Sequence, residues 1–243
     1  MPEILILTTP IFDCREKDLA EIRSIAKDYS VKAVGQKEAD MDSIRNAEII
    51  FGWPDKEQLD GAKKLKWLQL PSAGADRFND KSSYCNKDII LTNSSGVFGM
   101  PIAEHIFAMI LAYNRNLVAY THLKNDKKWQ SRIPAKDFFG STVGIIGLGD
   151  IGLEVAKRAK ALGARVIAVK RTPTNVPDCV DELYGAEGID GLLQQSDYVV
   201  LALPNTNSTA GIISESRLKL MKPDAFIVNI GRGGLIDQEA LIK

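Results

Sequence analysis

Thr142-Val-Gly-Ile-Ile-Gly147-Leu-Gly149-Asp150-Ile-Gly152 is the stretch that decides the fold. A short apolar run leads straight into G-x-G-x-x-G, and a helical pattern follows at Leu153, Val155, Ala156, Ala159 and Leu162. A dinucleotide phosphate needs this context. Gly147 allows a tight turn, Gly149 lets backbone amides approach a pyrophosphate, and Gly152 lets the helix pack on the strand. The helix start adds unpaired N–H groups and a partial positive charge. A second apolar run, Arg165-Val-Ile-Ala-Val169, completes the β-α-β order. The alternative is a glycine-rich turn of purely structural use.

The same alternation extends outward in both directions. Towards the C-terminus the pattern predicts a helix over 189–195, a strand over 198–203, a helix over 215–221, a strand over 226–230 and a last helix from Asp237. Towards the N-terminus it predicts strands at Ile4–Thr8, Val31–Val34, Glu48–Phe51, Trp67–Leu70 and Ile89–Thr92. A helix over Lys17–Lys27 would carry Leu19, Ile22 and Ile25 on one face. Strands alternating with helices imply mostly parallel sheets covered on both faces, an α/β architecture. Pro101 suits a helix start, and 102–117 is apolar on most faces, so a long helix buried between domains or subunits is expected. A polar connector over 121–137 leads into the second unit.

The 243 residues carry no net formal charge, with 45% hydrophobic and 26% charged residues. That balance points to a soluble globular protein and away from nucleic acid or an anionic membrane as main partner. No apolar run approaches the roughly 18 residues of a membrane span. Cys14, Cys85 and Cys179 are odd in number and widely spaced, which predicts a reducing cytoplasmic setting and no structural metal site.

Three further stretches bear on chemistry. Val169 is followed by Lys170-Arg171-Thr172, where an NAD site would place a carboxylate for the ribose 2′-hydroxyl. Two cations there suit a 2′-phosphate, so NADP(H) is the preferred cofactor, with NAD(H) left open; the alternative is a solvated basic turn. Pro71-Ser-Ala73-Gly74-Ala-Asp76 follows a strand, and its small residues leave amides open to a carboxylate or form a plain turn. Phe226-Ile-Val-Asn-Ile230-Gly231-Arg232-Gly-Gly234 delivers one guanidinium amid glycines. Arg232 offers a planar fork matching a carboxylate, against the alternative of an arginine on a surface turn. His105 reads as a packed, hydrogen-bonded residue and His122 as solvated. Trp129 reads as packing the connector, and Glu104 as capping or pairing locally. Trp53 would either shape a pocket or pack.

Together these motifs resemble the D-2-hydroxyacid dehydrogenase family, which includes glyoxylate/hydroxypyruvate reductases and D-3-phosphoglycerate dehydrogenases. The resemblance rests on Lys66–Asp76, on Thr92-Asn-Ser-Ser-Gly96 with Ile102-Ala-Glu-His105, and on Gly144–Gly152. It continues through Leu203–Thr209 and Met221-Lys-Pro223 to Asn229–Asp237. It implies a flavodoxin-like substrate domain over 1–98 and a Rossmann cofactor domain over 99–243, with a small 2-oxo acid or D-2-hydroxy acid bound in the cleft between them. It further implies that Ala73 and Gly74 bind the substrate carboxylate through backbone N–H, and that Arg232 binds carboxylate and carbonyl oxygen as the catalytic cation. Asp150 and Ile151 would lie against the pyrophosphate, and Lys170, Arg171 and Thr172 would face the adenosine 2′ position. Leu203, Pro204, Thr209, Ile230 and Gly231 would line the cofactor groove, and the helix near Pro101 would join a homodimer.

The chain also departs from the family pattern. Family members continue past the equivalent of Lys243 and carry there a glutamate and histidine acid/base pair, the last strands of the cofactor domain and a returning helix. No histidine follows His122. The expectation is therefore a C-terminally incomplete oxidoreductase. The alternative is a non-catalytic, corepressor-like module that senses a dinucleotide or binds a protein partner.

Overall fold

The structure is a computed structural model that describes residues 1–130 and 133–243. Ser131 and Arg132, within the expected connector, lie outside the described residues. The chain divides into two compact units, Met1–Val97 and Phe98–Lys243.

The first unit runs β1 (Glu3–Thr8), α1 (Glu16–Ile25), β2 (Ser30–Gly35), α2 (Met41–Asn46), β3 (Ala47–Phe51), α3 (Lys56–Gly61), β4 (Trp67–Gln69) and β5 (Ile90–Thr92). Its sheet has the order β2-β1-β3-β4-β5 and every pairing is parallel. That is the flavodoxin-like order. Alternation along β1 shows how both faces are filled. Leu5 and Leu7 join Ile44 of α2 and Leu59 of α3, whereas Ile4 and Ile6 meet Leu19 of α1. Ile25, expected beside Leu19, is 78% exposed. Six residues at 100° each carry it about 120° away from Leu19, out of the buried stripe.

The second unit runs α4 (Gly99–Asn114), α5 (Leu117–Asn125), β6 (Thr142–Ile146), α6 (Asp150–Ala161), β7 (Arg165–Val169), β8 (Glu182–Tyr184), α7 (Ile189–Gln195), β9 (Tyr198–Leu201), α8 (Glu215–Leu218), β10 (Phe226–Asn229) and α9 (Gln238–Ile242). Its all-parallel sheet has the order β10-β9-β6-β7-β8, the 3-2-1-4-5 arrangement of a Rossmann fold. Val143 and Ile145 of β6, Val166 and Ala168 of β7, and Tyr198 and Val200 of β9 face α4 and α6. Val199 and Leu201 of β9 face α7. α7 lies directly on β6, since a Cβ on Gly144 would come within 2.5 Å of Leu192. Asp197 ties the amino ends of three strands. Its carboxylate accepts from the Thr142 N–H at 2.7 Å and from Lys222 at 2.8 Å, and its carbonyl accepts from the Phe226 N–H.

Three expectations are corrected here. The helix expected to reach Leu117 stops at Asn114, because Asn116 takes a left-handed conformation (φ 56°) before α5 begins. Asparagine tolerates that region better than most residues. β8 was not expected: it is three residues long and its pattern is too short to read alone. Asp181 fixes it, accepting from the Val166 N–H and from Lys160. His105 is exposed rather than packed, because α4 buries only the stripe through Ala103, Ile106, Phe107 and Ile110. Among the described residues, no helix is long and apolar enough to cross a membrane.

Candidate functional site

In a parallel sheet every strand delivers its following loop to the same edge. The second unit therefore gathers at one edge the loops after β6 (Gly147–Gly149), β7 (Lys170–Thr172), β9 (Ala202–Thr209) and β10 (Ile230–Arg232). Strand order reverses between β6 and β9, the point where such sheets bind ligands.

The glycine loop has the geometry of a phosphate cradle. Gly147 adopts φ +103°, and a Cβ there would lie 2.5 Å from the Ala202 carbonyl oxygen. Gly152 lies under the turn, where a Cβ would come 2.2 Å from the Gly147 oxygen. Gly149 differs from both. Nothing lies within 4 Å of the position its Cβ would take, and its φ is an ordinary −93°. The first and third glycines are thus demanded by the protein's own packing, and the second faces open space. A dinucleotide pyrophosphate fits such a cradle, because its oxygens need backbone in the space a side chain would fill. α6 begins at Asp150, so its first-turn amides have no intrahelical acceptors. The Asp150 carboxylate points elsewhere. It packs on Gly99 at the start of α4, where a Cβ would be 2.7 Å from Oδ1. α4 has no acidic residue in its own first turn, so Asp150 supplies favourable negative charge there as well as at the start of α6.

After β7, Lys170 holds its backbone with an N–H bond to the Tyr184 carbonyl at 3.0 Å. The Lys170, Arg171 and Thr172 side chains are exposed, and neither cation is in an ion pair among the described residues. After β9, Leu203 and Pro204 lead into a loop that Thr209 closes. Its hydroxyl donates to the Pro204 carbonyl at 2.6 Å and accepts from the Thr206 N–H at 2.8 Å. Thr209, expected to line the cofactor groove, thereby also shapes the loop through its hydroxyl. Gly231 after β10 is held close to this loop, since a Cβ on it would lie 2.5 Å from the Leu203 oxygen. Ile230 is anchored by its N–H to the Leu201 carbonyl.

Arg232 stands exposed after this strand, its Nη1 donating to the Gly231 carbonyl at 2.8 Å. The turn presenting it is set by Asn229, whose Oδ1 accepts from the Gly231 N–H and whose Nδ2 donates to the Arg232 carbonyl. Sequence reasoning missed Asn229, although an asparagine just before a turn is a recognisable signal. Ala73 and Gly74 lie on the first unit, in the loop after β4. Trp53 resolves there as a packing and hydrogen-bonding residue. It meets Phe12 edge-on at 5.9 Å and donates from Nε1 to Ser72 Oγ at 3.0 Å. His122 is exposed, and Trp129 is 94% exposed, so Trp129 does not pack the connector as expected. Glu104 pairs with Arg158 of α6 at 3.9 Å.

Residues 107–243 match the family described as D-isomer specific 2-hydroxyacid dehydrogenase, NAD binding domain. The chain belongs to the D-isomer specific 2-hydroxyacid dehydrogenase family. The glyoxylate reductase of Thermococcus onnurineus is 34% identical over 239 residues, covering 94% of this chain and 70% of that protein. Against a second such reductase, from Thermococcus gammatolerans, identity is 36% and the chain spans 58% of the relative's length. Among solved structures, a D-isomer specific 2-hydroxyacid dehydrogenase family protein from Aeromonas salmonicida superposes with a TM-score of 0.84 at 28% identity, over 99% of this chain and 76% of that one. An acyclic imino acid reductase in complex with NADPH and D-arginine gives 0.80 at 27% identity, over 98% and 77%. The D-lactate dehydrogenase of Aquifex aeolicus, complexed with NAD and lactic acid, gives 0.77 at 28% identity, over 98% and 72%. Family membership accounts for the glycine cradle and for the strand order around it.

Proposed function

We propose that this chain binds a nicotinamide dinucleotide, NADP(H) in preference to NAD(H), and serves the interconversion of a small 2-oxo acid and a D-2-hydroxy acid. The observation that carries the reading is the contrast among the three glycines. Two are required by packing, and Gly149 alone of the three has no neighbour that a side chain would strike. Lys170 and Arg171, exposed and in no ion pair among the described residues, support the choice of NADP(H), because a 2′-phosphate would supply a counter-charge. Thr172 would stand beside them. Gly147, Gly149, Asp150, Ile151 and Gly152 hold the pyrophosphate through backbone, and Leu203, Pro204, Thr209, Ile230 and Gly231 border the rest of the groove.

A nicotinamide held there would supply or accept the hydride. The protein's part is binding and charge. The N–H groups of Ala73 and Gly74 bind the substrate carboxylate. Arg232 binds carboxylate and carbonyl oxygen, and stabilises the negative charge that develops on that oxygen as the carbon is reduced. A proton from water at that oxygen completes the alcohol, and the reverse direction releases it. On this reading residues 1–98 form the substrate domain and 99–243 the cofactor domain. The exposed apolar residues Met109, Tyr113, Leu117 and Val118 on α4 and α5 favour a homodimer. The three free cysteines suit a reducing, cytoplasmic setting.

The test is a fluorescence titration of the chain with NADPH and NADH, followed by NADPH oxidation with glyoxylate and with hydroxypyruvate. Tighter binding of NADPH and turnover that Arg232→Ala abolishes support the proposal. Absence of binding to either nucleotide overturns it, and binding without turnover points instead to a nucleotide-sensing module.

A further inference from the structure

The loop after β4 is braced in a way its sequence does not announce. Three consecutive carbonyls, those of Ser72, Ala73 and Gly74, are each taken by a donor from elsewhere in the first unit. The Ser94 N–H donates to the Ser72 carbonyl at 3.1 Å. Asn93 Nδ2 donates to the Ala73 carbonyl at 2.7 Å. Ser72 Oγ donates to the Gly74 carbonyl at 2.9 Å. The direction of the last bond is fixed by chemistry. The Trp53 indole can only donate, so at 3.0 Å from Trp53 Nε1 the Ser72 hydroxyl must accept, and its own hydrogen is left for the Gly74 carbonyl.

Every peptide bond described here is trans. In a trans peptide the N–H points opposite to the preceding C=O. Pinning the Ser72, Ala73 and Gly74 carbonyls therefore also aims the N–H groups of Ala73, Gly74 and Ala75. Among the described residues none of those three N–H groups meets an acceptor. Ala73 is exposed, and Gly74 and Ala75 are half-buried. N–H groups with no partner, fixed through the carbonyls they are bonded to, are open to an acceptor such as a carboxylate.

We infer that Trp53, acting through Ser72, and Asn93, acting directly, are positioning residues that set the affinity of this loop for the substrate carboxylate. The inference rests on the proposed 2-oxo-acid reaction, and it adds the Ala75 N–H to the two amides named above. Trp53 is well placed for this role because its position is over-determined. Gly52 before it takes φ +151°, and a Cβ there would strike Leu7 at 2.6 Å. The ring itself rests against Phe12 and the core of the first unit. A rigid indole thus fixes a hydroxyl, the hydroxyl fixes a carbonyl, and the carbonyl fixes an amide.

The test uses the full 243-residue chain labelled with nitrogen-15 and titrated with oxamate, an analogue carrying one carboxylate beside a carbonyl. The expected result is a shift of the Ala73, Gly74 and Ala75 amide resonances in the wild type. Trp53→Phe keeps the ring against Phe12 and removes only the donor, and it should weaken oxamate about three- to tenfold, the effect of one ordinary hydrogen bond. Ser72→Ala should weaken it as much, and the double variant little more, because both act through one relay. Ser72→Thr should restore affinity to within about twofold. NADPH affinity and thermal midpoint serve as controls that a merely structural role would move together with oxamate. Should Trp53→Phe lower the midpoint, Ser72→Ala carries the same comparison. Wild-type oxamate affinity in both variants, with the loop amides still shifting, overturns the inference and leaves the proposed carboxylate site standing. No loop shift in the wild type overturns both.

Discussion

Gly149→Ala separates the two reasons a glycine can occupy this loop. A methyl there would meet no atom within 4 Å, and φ −93° with ψ −157° is accessible to alanine. Gly149 is the N-cap of α6, and alanine is the poorer cap by about 0.5–1 kcal/mol. Alanine also restricts the unfolded chain, which returns about 0.4–1 kcal/mol. The two effects offset, so unfolding in urea should give a stability within ~0.5 kcal/mol of the wild type. Nucleotide binding should respond quite differently. The methyl would stand where a pyrophosphate oxygen must meet backbone N–H, and each hydrogen bond lost to a charged oxygen costs about 1.5–3 kcal/mol. One such bond weakens NADPH roughly 10- to 150-fold in a fluorescence titration. The neighbouring variants should invert this pattern. Gly147→Ala and Gly152→Ala would set a Cβ 2.5 and 2.2 Å from backbone oxygens, and should destabilise the fold by about 1–3 kcal/mol each through overpacking, with strain at φ +103° added for Gly147. If Gly149→Ala binds NADPH as the wild type does, the open space at Gly149 is not where a pyrophosphate rests, and the proposed cofactor site fails with it.

Lys170→Ala and Arg171→Ala should each raise the Kd for NADPH about 10-fold or more while leaving NADH within about twofold, and the NADPH preference should weaken as salt rises; equal effects on both nucleotides would remove the 2′-phosphate role. Arg232→Lys should lower kcat/KM for glyoxylate by about 10²-fold or more, because a point charge replaces a two-pronged donor to oxygen. Asp197 is partly buried, which pushes its pKa up, but the Lys222 side chain and the Thr142 N–H favour the carboxylate more and hold it below the ordinary value. Its contribution to stability is therefore complete above the unfolded value of about 4 and is lost as pH falls through the lower folded pKa. Urea midpoints measured from about pH 5 down to about pH 3 should fall less steeply in Asp197→Asn than in the wild type.

The five strands of the first unit and four of the five in the second were legible because short apolar runs bounded by turns have few other uses. β8 escaped because Glu182-Leu-Tyr184 has no pattern of its own, and its place depends on β7 and on the bonds that Asp181 makes to Val166 and Lys160. The break at Asn116 escaped for a related reason, since no glycine or proline marks it. His105 was misjudged by a different route. Hydropathy around a helix records how apolar each face is, not whether anything covers it, and α4 leaves the apolar Met109 and Tyr113 exposed as well as His105.

The candidate site divides along the same line. A parallel sheet turns the statement "just after a strand" into a position on one edge, so Gly147, Lys170, Leu203 and Arg232 could be grouped from their order alone. The residues that aim them could not. Asn229 reaches only two and three residues along the chain, a distance at which turn chemistry can be read. Trp53 and Asn93 reach the Ser72–Gly74 loop from 19 and 20 residues away, and nothing in a linear pattern ties an indole after β3 to a hydroxyl after β4. Candidate ligand groups are therefore readable where the backbone itself presents them. The bonds that hold that backbone come from strands adjacent in space and distant in sequence, and only the fold reveals them.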